Sequence, residues 1–200
     1  MNDNLNLTKV RNYMTLAIFP LFLGCAATNP IIKYGDAKAV ETINTDFGSS
    51  DMQQIAESMT RSLLESPLVL GARQPPLVTV ADIKNKTSDY IDTKAISTKI
   101  RSQLTRSGRV RFAVSISDMQ NQIDELKRQN QSGLYSSQST SQMGNMTGSR
   151  YRVEGSISSI VKQNKTVKDV YYLFQLSLYN NETGILEWED EKEIRKTATR

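Results

Sequence analysis

Apolar side chains recur along this chain in two rhythms, and the switch between them marks out its elements. Met52, Ile55, Ala56, Met59 and Leu63 stand three and four residues apart, which places them on one face of a helix. Ser50 and Gln53 predict its start as a capping box, each side chain satisfying an amide that the first turn leaves free. Pro67 predicts its end. After Pro75-Pro76, residues 77–83 form a β-rich run that reads as a largely buried strand. Ala95, Ile96, Ile100 and Leu104 predict a second helix that stops near Gly108, a fitting C-terminal cap. Residues 110–116 alternate at period two, predicting a half-buried strand. Ser117 is then expected to cap a third helix that turns Met119, Ile123 and Leu126 to the core.

Residues 129–150 are rich in Ser and Gln and read as a surface segment, with a weak helix over residues 140–146 as the alternative. The chain ends in three strand-like runs, residues 151–161, 170–179 and 185–194. The last two are joined by Asn180-Asn181-Glu182-Thr183-Gly184, a hairpin loop in which Gly184 takes a positive φ. In the middle run Tyr172, Phe174, Leu176 and Leu178 share one face, and Tyr171, Leu173, Gln175 and Ser177 share the other. Helical crossovers imply parallel neighbours and a tight hairpin implies antiparallel ones. The expected fold is therefore α/β (α+β), a mixed sheet of about five strands with helices packed on it.

The N-terminus follows neither rhythm. Lys9 and Arg11 precede eleven mainly apolar residues, 13–23, far fewer than the roughly 20 needed to span a bilayer as a helix, so the layout is that of a secretory signal. It ends in Leu21-Phe22-Leu23-Gly24-Cys25-Ala26-Ala27, which resembles the lipobox of bacterial lipoproteins. That resemblance implies lipidation of Cys25, and Ala26 in place of Asp after it implies the outer membrane. The expected organisation is a signal peptide over residues 1–24, a flexible tether over 25–47 and one globular domain over 48–200.

Composition then removes whole classes of chemistry. Histidine is absent and Cys25 is the only cysteine, so the commonest base and metal ligand, a thiol nucleophile and a disulfide all fall away. Without residues 1–24 the chain loses Lys9, Arg11 and Asp3, leaving 23 basic against 20 acidic residues. That excess is too small to argue for nucleic acid. No catalytic residue, cofactor, metal or small-molecule substrate is expected.

Four motifs span most of the domain: Asp46-Phe47-Gly48-Ser49-Ser50-Asp51-Met52-Gln53-Gln54-Ile55-Ala56, Val78-Thr79-Val80-Ala81-Asp82-Ile83-Lys84-Asn85-Lys86-Thr87, Arg106-Ser107-Gly108-Arg109-Val110-Arg111-Phe112, and the terminal series Leu176, Leu178, Glu182, Thr183, Gly184 and Trp188. In these the chain resembles the LpoB family, outer-membrane lipoproteins that activate a bifunctional penicillin-binding protein. The resemblance implies a fold similar to the N-terminal domain of TolB, and a role in docking on a peptidoglycan synthase without performing chemistry. The rival reading is a structural or secretion-associated lipoprotein with a TolB/CsgG-like domain, although residues 129–150 are too polar for a membrane-inserted strand pair.

Candidate partner-binding residues fall in three places. Lys84, Asn85, Lys86, Thr87 and Tyr90 form a polar loop that is either a docking surface or a strand-to-helix turn held by local bonds. Arg106 and Arg109, with Arg101 and Arg111, offer either a site for an acidic partner or a solvated face that complements a helix dipole. Tyr135 is an exposed anchor or packs on the third helix. Glu187, Glu189 and Glu191 alternate on one strand face and read as a charged edge that resists aggregation.

Overall fold

The computed structural model describes residues 33–199, and Asp36–Arg200 forms one compact unit. Its elements run α1 (Ser49–Glu65), α2 (Pro67–Leu70), β1 (Leu77–Val80), β2 (Lys84–Asn85), α3 (Thr93–Arg106), β3 (Arg111–Phe112), α4 (Ile116–Gln131), β4 (Tyr151–Gln163), β5 (Val167–Asn180) and β6 (Leu186–Thr199). The strands form one mixed sheet in the order β3-β1-β4-β5-β6, with β2 added beside β4 where β1 has ended. β1 is parallel to β3 and β4, as helical crossovers require, and the β4, β5 and β6 meander is antiparallel. Gly184, at φ 72°, closes the last hairpin by donating to the Asn180 carbonyl at 2.8 Å.

The two faces of β5 behave as its alternation predicts. Tyr172, Phe174, Leu176 and Leu178 are at most 1 % exposed and meet Ile55, Ala56, Met59 and Leu63 of α1 and Ile96, Ile100 and Leu104 of α3 in one core. Burying each large apolar side chain contributes about 1.5–3 kcal/mol, so this layer dominates the fold's stability. Gly155 of β4 keeps the layer tight: a Cβ there would lie 2.8 Å from the Gln175 carbonyl oxygen and 2.9 Å from Leu176 Cδ1. Thr60 of α1 donates to Gln103 of α3 at 2.8 Å, and Trp188 Nε1 donates to Ser62 Oγ at 3.3 Å, pinning the helices to each other and to β6.

Several local expectations need correction. The cap of α1 is built by Gly48 and Asp51, whose carboxylate accepts from the Gly48 amide at 2.8 Å, and not by Ser50 and Gln53. Ser50 is buried as the second residue of the helix, and Gln53 donates to the Ala37 carbonyl at 2.5 Å. A second carboxylate comes from upstream: Glu41 accepts from the Ser49 amide and hydroxyl, both at 2.8 Å, and these bonds lower its pKa. Glycine at 48 makes room for it, since a Cβ there would fall on the Glu41 carboxylate.

Residues 36–47, read as part of the tether, accordingly lie along the domain. Thr45 is buried, and the Phe47 ring meets Tyr172 edge-on at 5.7 Å. The expected strand over residues 110–116 is only Arg111–Phe112, because Ser115 rather than Ser117 caps the next helix, accepting from the Asp118 amide at 3.2 Å. That helix, α4, meets the expectation only in part: Leu126 is buried but lies outside the main core cluster, and Met119 is exposed. Residues 140–146 form no helix, being held instead as turns against α4 by Asn130 donating to the Ser141 carbonyl at 2.9 Å.

Candidate functional site

The sheet's outer face has no helix over β4, β5 and β6 among the described residues, and the candidate site is built at its β2 margin. β2 is only two residues long because Asn85 turns the chain away: its Oδ1 accepts from the Thr87 amide at 2.9 Å and the Thr87 hydroxyl at 2.8 Å, while its Nδ2 donates to the Asp89 carbonyl at 2.8 Å. Asp89 fixes this turn to the core by accepting from the buried Tyr172 hydroxyl at 2.9 Å. Burial, with the bond to Asp89, pushes the pKa of that hydroxyl well above the ordinary phenol value. Asn85 and Thr87 thus shape the loop, while Lys84, Lys86 and Tyr90 project from it. Tyr90 is 95 % exposed.

Lys84 and Lys86 border a concavity of about 400 Å³ floored by Ser156, Gln175, Ser177 and Tyr179, with Glu154 at its side. Arg152 holds that wall: it donates to Glu154 at 2.5 Å and Asn181 at 2.7 Å, and its guanidinium lies 5.6 Å from the centre of the Tyr179 ring. The floor residues were legible only as a mixed strand face; placing them beside Lys84 required the register of β2 on β4. The concavity offers N–H donors and hydroxyls beside the carboxylates of Asp82 and Glu154, and Tyr90 adds an exposed ring on the following loop. Such groups recognise carboxylates and carbonyls through charge-assisted bonds around an amphipathic anchor.

The other sequence candidates lie elsewhere. α3 begins just after Tyr90, where Asp92 caps it by accepting from the Ala95 amide at 3.0 Å, and at 1.5 Å per residue it carries Arg106 about 20 Å from that loop. Arg106 donates to Ser102 at 3.2 Å, and Arg109 follows Gly108, whose φ is 67°. Tyr135 belongs to neither place. It packs on α4, where the Arg128 guanidinium lies 5.0 Å from the ring centre and bonds its hydroxyl. Lys84 and Lys86 are therefore brought together at the concavity, whereas Tyr90, the arginines and Tyr135 are not among its lining residues. Cys25 lies outside the described residues.

Comparison with known proteins decides the family. The model described as peptidoglycan-synthase activator LpoB matches residues 51–194, from the first turn of α1 to the buried Ile194 of β6. The chain belongs to the LpoB family. The family's described role is to activate a peptidoglycan synthase, and the mixed sheet with helices packed on it is the fold expected from the sequence. No curated protein matches the chain. Among solved structures it is similar to the LpoB C-terminal domains of Salmonella enterica (15 % identity, TM-score 0.44) and Escherichia coli (17 %, 0.44). Each alignment covers 73 % of this chain and 99 % of the other. It is also similar to lipoprotein GNA1162 of Neisseria meningitidis, at 12 % identity and TM-score 0.40 over 62 % of this chain and 85 % of that one.

Proposed function

We propose that this LpoB-family chain is an outer-membrane lipoprotein, lipidated at Cys25, whose domain docks on a bifunctional penicillin-binding protein and stimulates its peptidoglycan synthesis. The observation that carries the reading is the family match across residues 51–194, which takes in α1, both crossovers and the β4–β6 meander. Lys84, Lys86 and Tyr90 supply the contact, with Asn85 and Thr87 holding their loop in shape. Arg106 and Arg109 present a separate basic end, and Tyr135 with Arg128 a third feature on α4.

The signal peptide occupies residues 1–24. With residues 36–47 laid along the domain, the free tether shortens to residues 25–35, at most about 40 Å when fully extended. Tethering at that length confines the domain near the membrane and raises its effective concentration for a partner that reaches toward it.

The test is glycan-strand polymerisation by bifunctional penicillin-binding proteins of the same organism, with and without the mature chain. Stimulation is expected. Reversing Lys84 and Lys86 to Glu should weaken binding by about tenfold or more, as loss of charge pairs at an interface does. If no such synthase is bound or stimulated, the activator reading fails.

A further inference from the structure

On the outer face of the sheet, two rows complement themselves beside an uncomplemented row of Glu154, Ser177 and Glu189. The register defines two adjacent cross-strand rows. In the first, Lys84 of β2 stands beside Ser156 of β4, Gln175 of β5 and Glu191 of β6. In the second, Lys86, whose amide continues the β2 ladder by donating to the Ile157 carbonyl at 2.7 Å, stands beside Ser158, Leu173 and Glu193. Each row thus runs from a lysine at one end, through neutral residues, to a glutamate at the other. None of these four charged side chains forms an ion pair among the described residues. Glu193 instead lies near the Tyr171 hydroxyl, and its negative charge raises the pKa of that tyrosine. The next row holds Ile160, 59 % exposed and pointing away from the core, beside Tyr171.

We propose that this face packs against the same face of a second copy, about a twofold axis lying between β4 and β5 and inclined to them by about 15°, half the crossing angle of stacked sheets. That operation exchanges β2 with β6 and β4 with β5. It sets Lys84 over Glu191, Lys86 over Glu193 and Ile160 over Tyr171, each pair occurring twice, as an isologous interface demands. Sheets that stack face to face lie about 10 Å apart and cross at about 30°. At the row ends, about 7 Å from the axis, that rotation displaces the pairs by about 4 Å, within reach of a lysine stem. The face covers roughly 600 Å² per copy, so the pair would bury about 1,200 Å², the lower end for stable complexes. The inference shares Lys84 and Lys86 with the proposed docking site, so a second copy and a synthase exclude one another, and self-association holds the domain in reserve.

The test uses the chain from residue 26 onward, which keeps every described residue, in sedimentation velocity over a wide concentration range with no synthase present. A dimer that weakens with added salt is expected. Lys84→Glu with Lys86→Glu should raise the dimer dissociation constant by about tenfold or more, as should Glu191→Lys with Glu193→Lys, and the four changes together should restore it. In the full lipidated chain, Ser158→Cys should form a dimer with a short bismaleimide. A monomer at every concentration, failure of the fourfold variant to recover, or growth beyond a dimer would overturn the proposal. A wild-type monomer that still binds a synthase through Lys84 and Lys86 would overturn it while leaving the activator reading intact.

Discussion

α1 and α4 are helices of nearly equal length with an apolar stripe on one side, yet the molecule treats them differently. The stripe of α1 is buried to within 1 % at Ile55, Ala56, Met59 and Leu63, against β5 and α3. Its ends are tied down by residues far away in sequence, Thr60 to Gln103 and Asp51 to Lys196. The bonds of α4 are local by contrast, Glu125 to Arg128 and Gln129, and Arg128 to Tyr135. An amphipathic pattern therefore fixes that a helix has a face to cover, but not what covers it. Half of the energetic argument lies in the partner.

The largest break in this contrast should come from the core side. Phe174→Ala, at a fully buried position, removes a ring from beneath the helices and should cost about 4 kcal/mol, whereas Leu126→Ala on α4, buried but outside the main cluster, should cost about 2 kcal/mol, the low end for such a change. Urea unfolding of both variants measures the difference. Equal losses would mean that α4 is as much part of the core as α1.

A smaller but more specific effect is expected at the buried ion pair. Lys196 Nζ lies 2.5 Å from Asp51 Oδ2 and also donates to the Asp46 carbonyl at 2.8 Å, joining the start of α1 to the end of β6. Asp51→Ala leaves that ammonium with one neutral partner and the Gly48 amide with none. The change should cost about 3 kcal/mol, the low end for breaking a buried pair, since Lys196 keeps some contact with water. The double variant with Lys196→Met should recover part of that loss. No recovery in a double-mutant cycle would show that the pair is not coupled.

The same contrast explains what could be read from the sequence. The alternation of Tyr172, Phe174, Leu176 and Leu178 was legible because a strand's two faces are encoded in consecutive residues. The parallel crossovers and the Gly184 hairpin followed from equally local signals. The cap of α1 falls on Gly48 and Asp51, two residues before Ser50 and Gln53, because glycine at the first position leaves room for Glu41, eight residues before Ser49, to add an acceptor. Likewise, the Asp51–Lys196 pair joins residues 145 apart, a separation that no periodicity reports. At the candidate site, the polarity of Lys84 and Lys86 was visible, but their place beside Gln175 and opposite Glu191 exists only once β2 has paired with β4. For Asn85 and Thr87 the sequence leaves both a docking role and a turn role open, and their bonds to each other give them to the turn.

The smallest effect sharpens the comparison from the α4 side. Bonds from Arg128, and then from Gln129, lower the Glu125 carboxyl from 4.5 to about 2. A carboxyl whose pKa is depressed on folding contributes stability that is fully present above its unfolded value and fades as pH falls through the folded one. Local order in α4 should therefore be constant above about pH 5 and decline as pH approaches 2, while Glu125→Gln should flatten that dependence. Solvent exposure and added salt both screen the pair, so the change should appear in amide exchange of α4 and leave global unfolding almost untouched. If acid instead loosens α1 and α4 together, the two helices open as one cooperative unit, and the local bonding of α4 does not make it separable from the core.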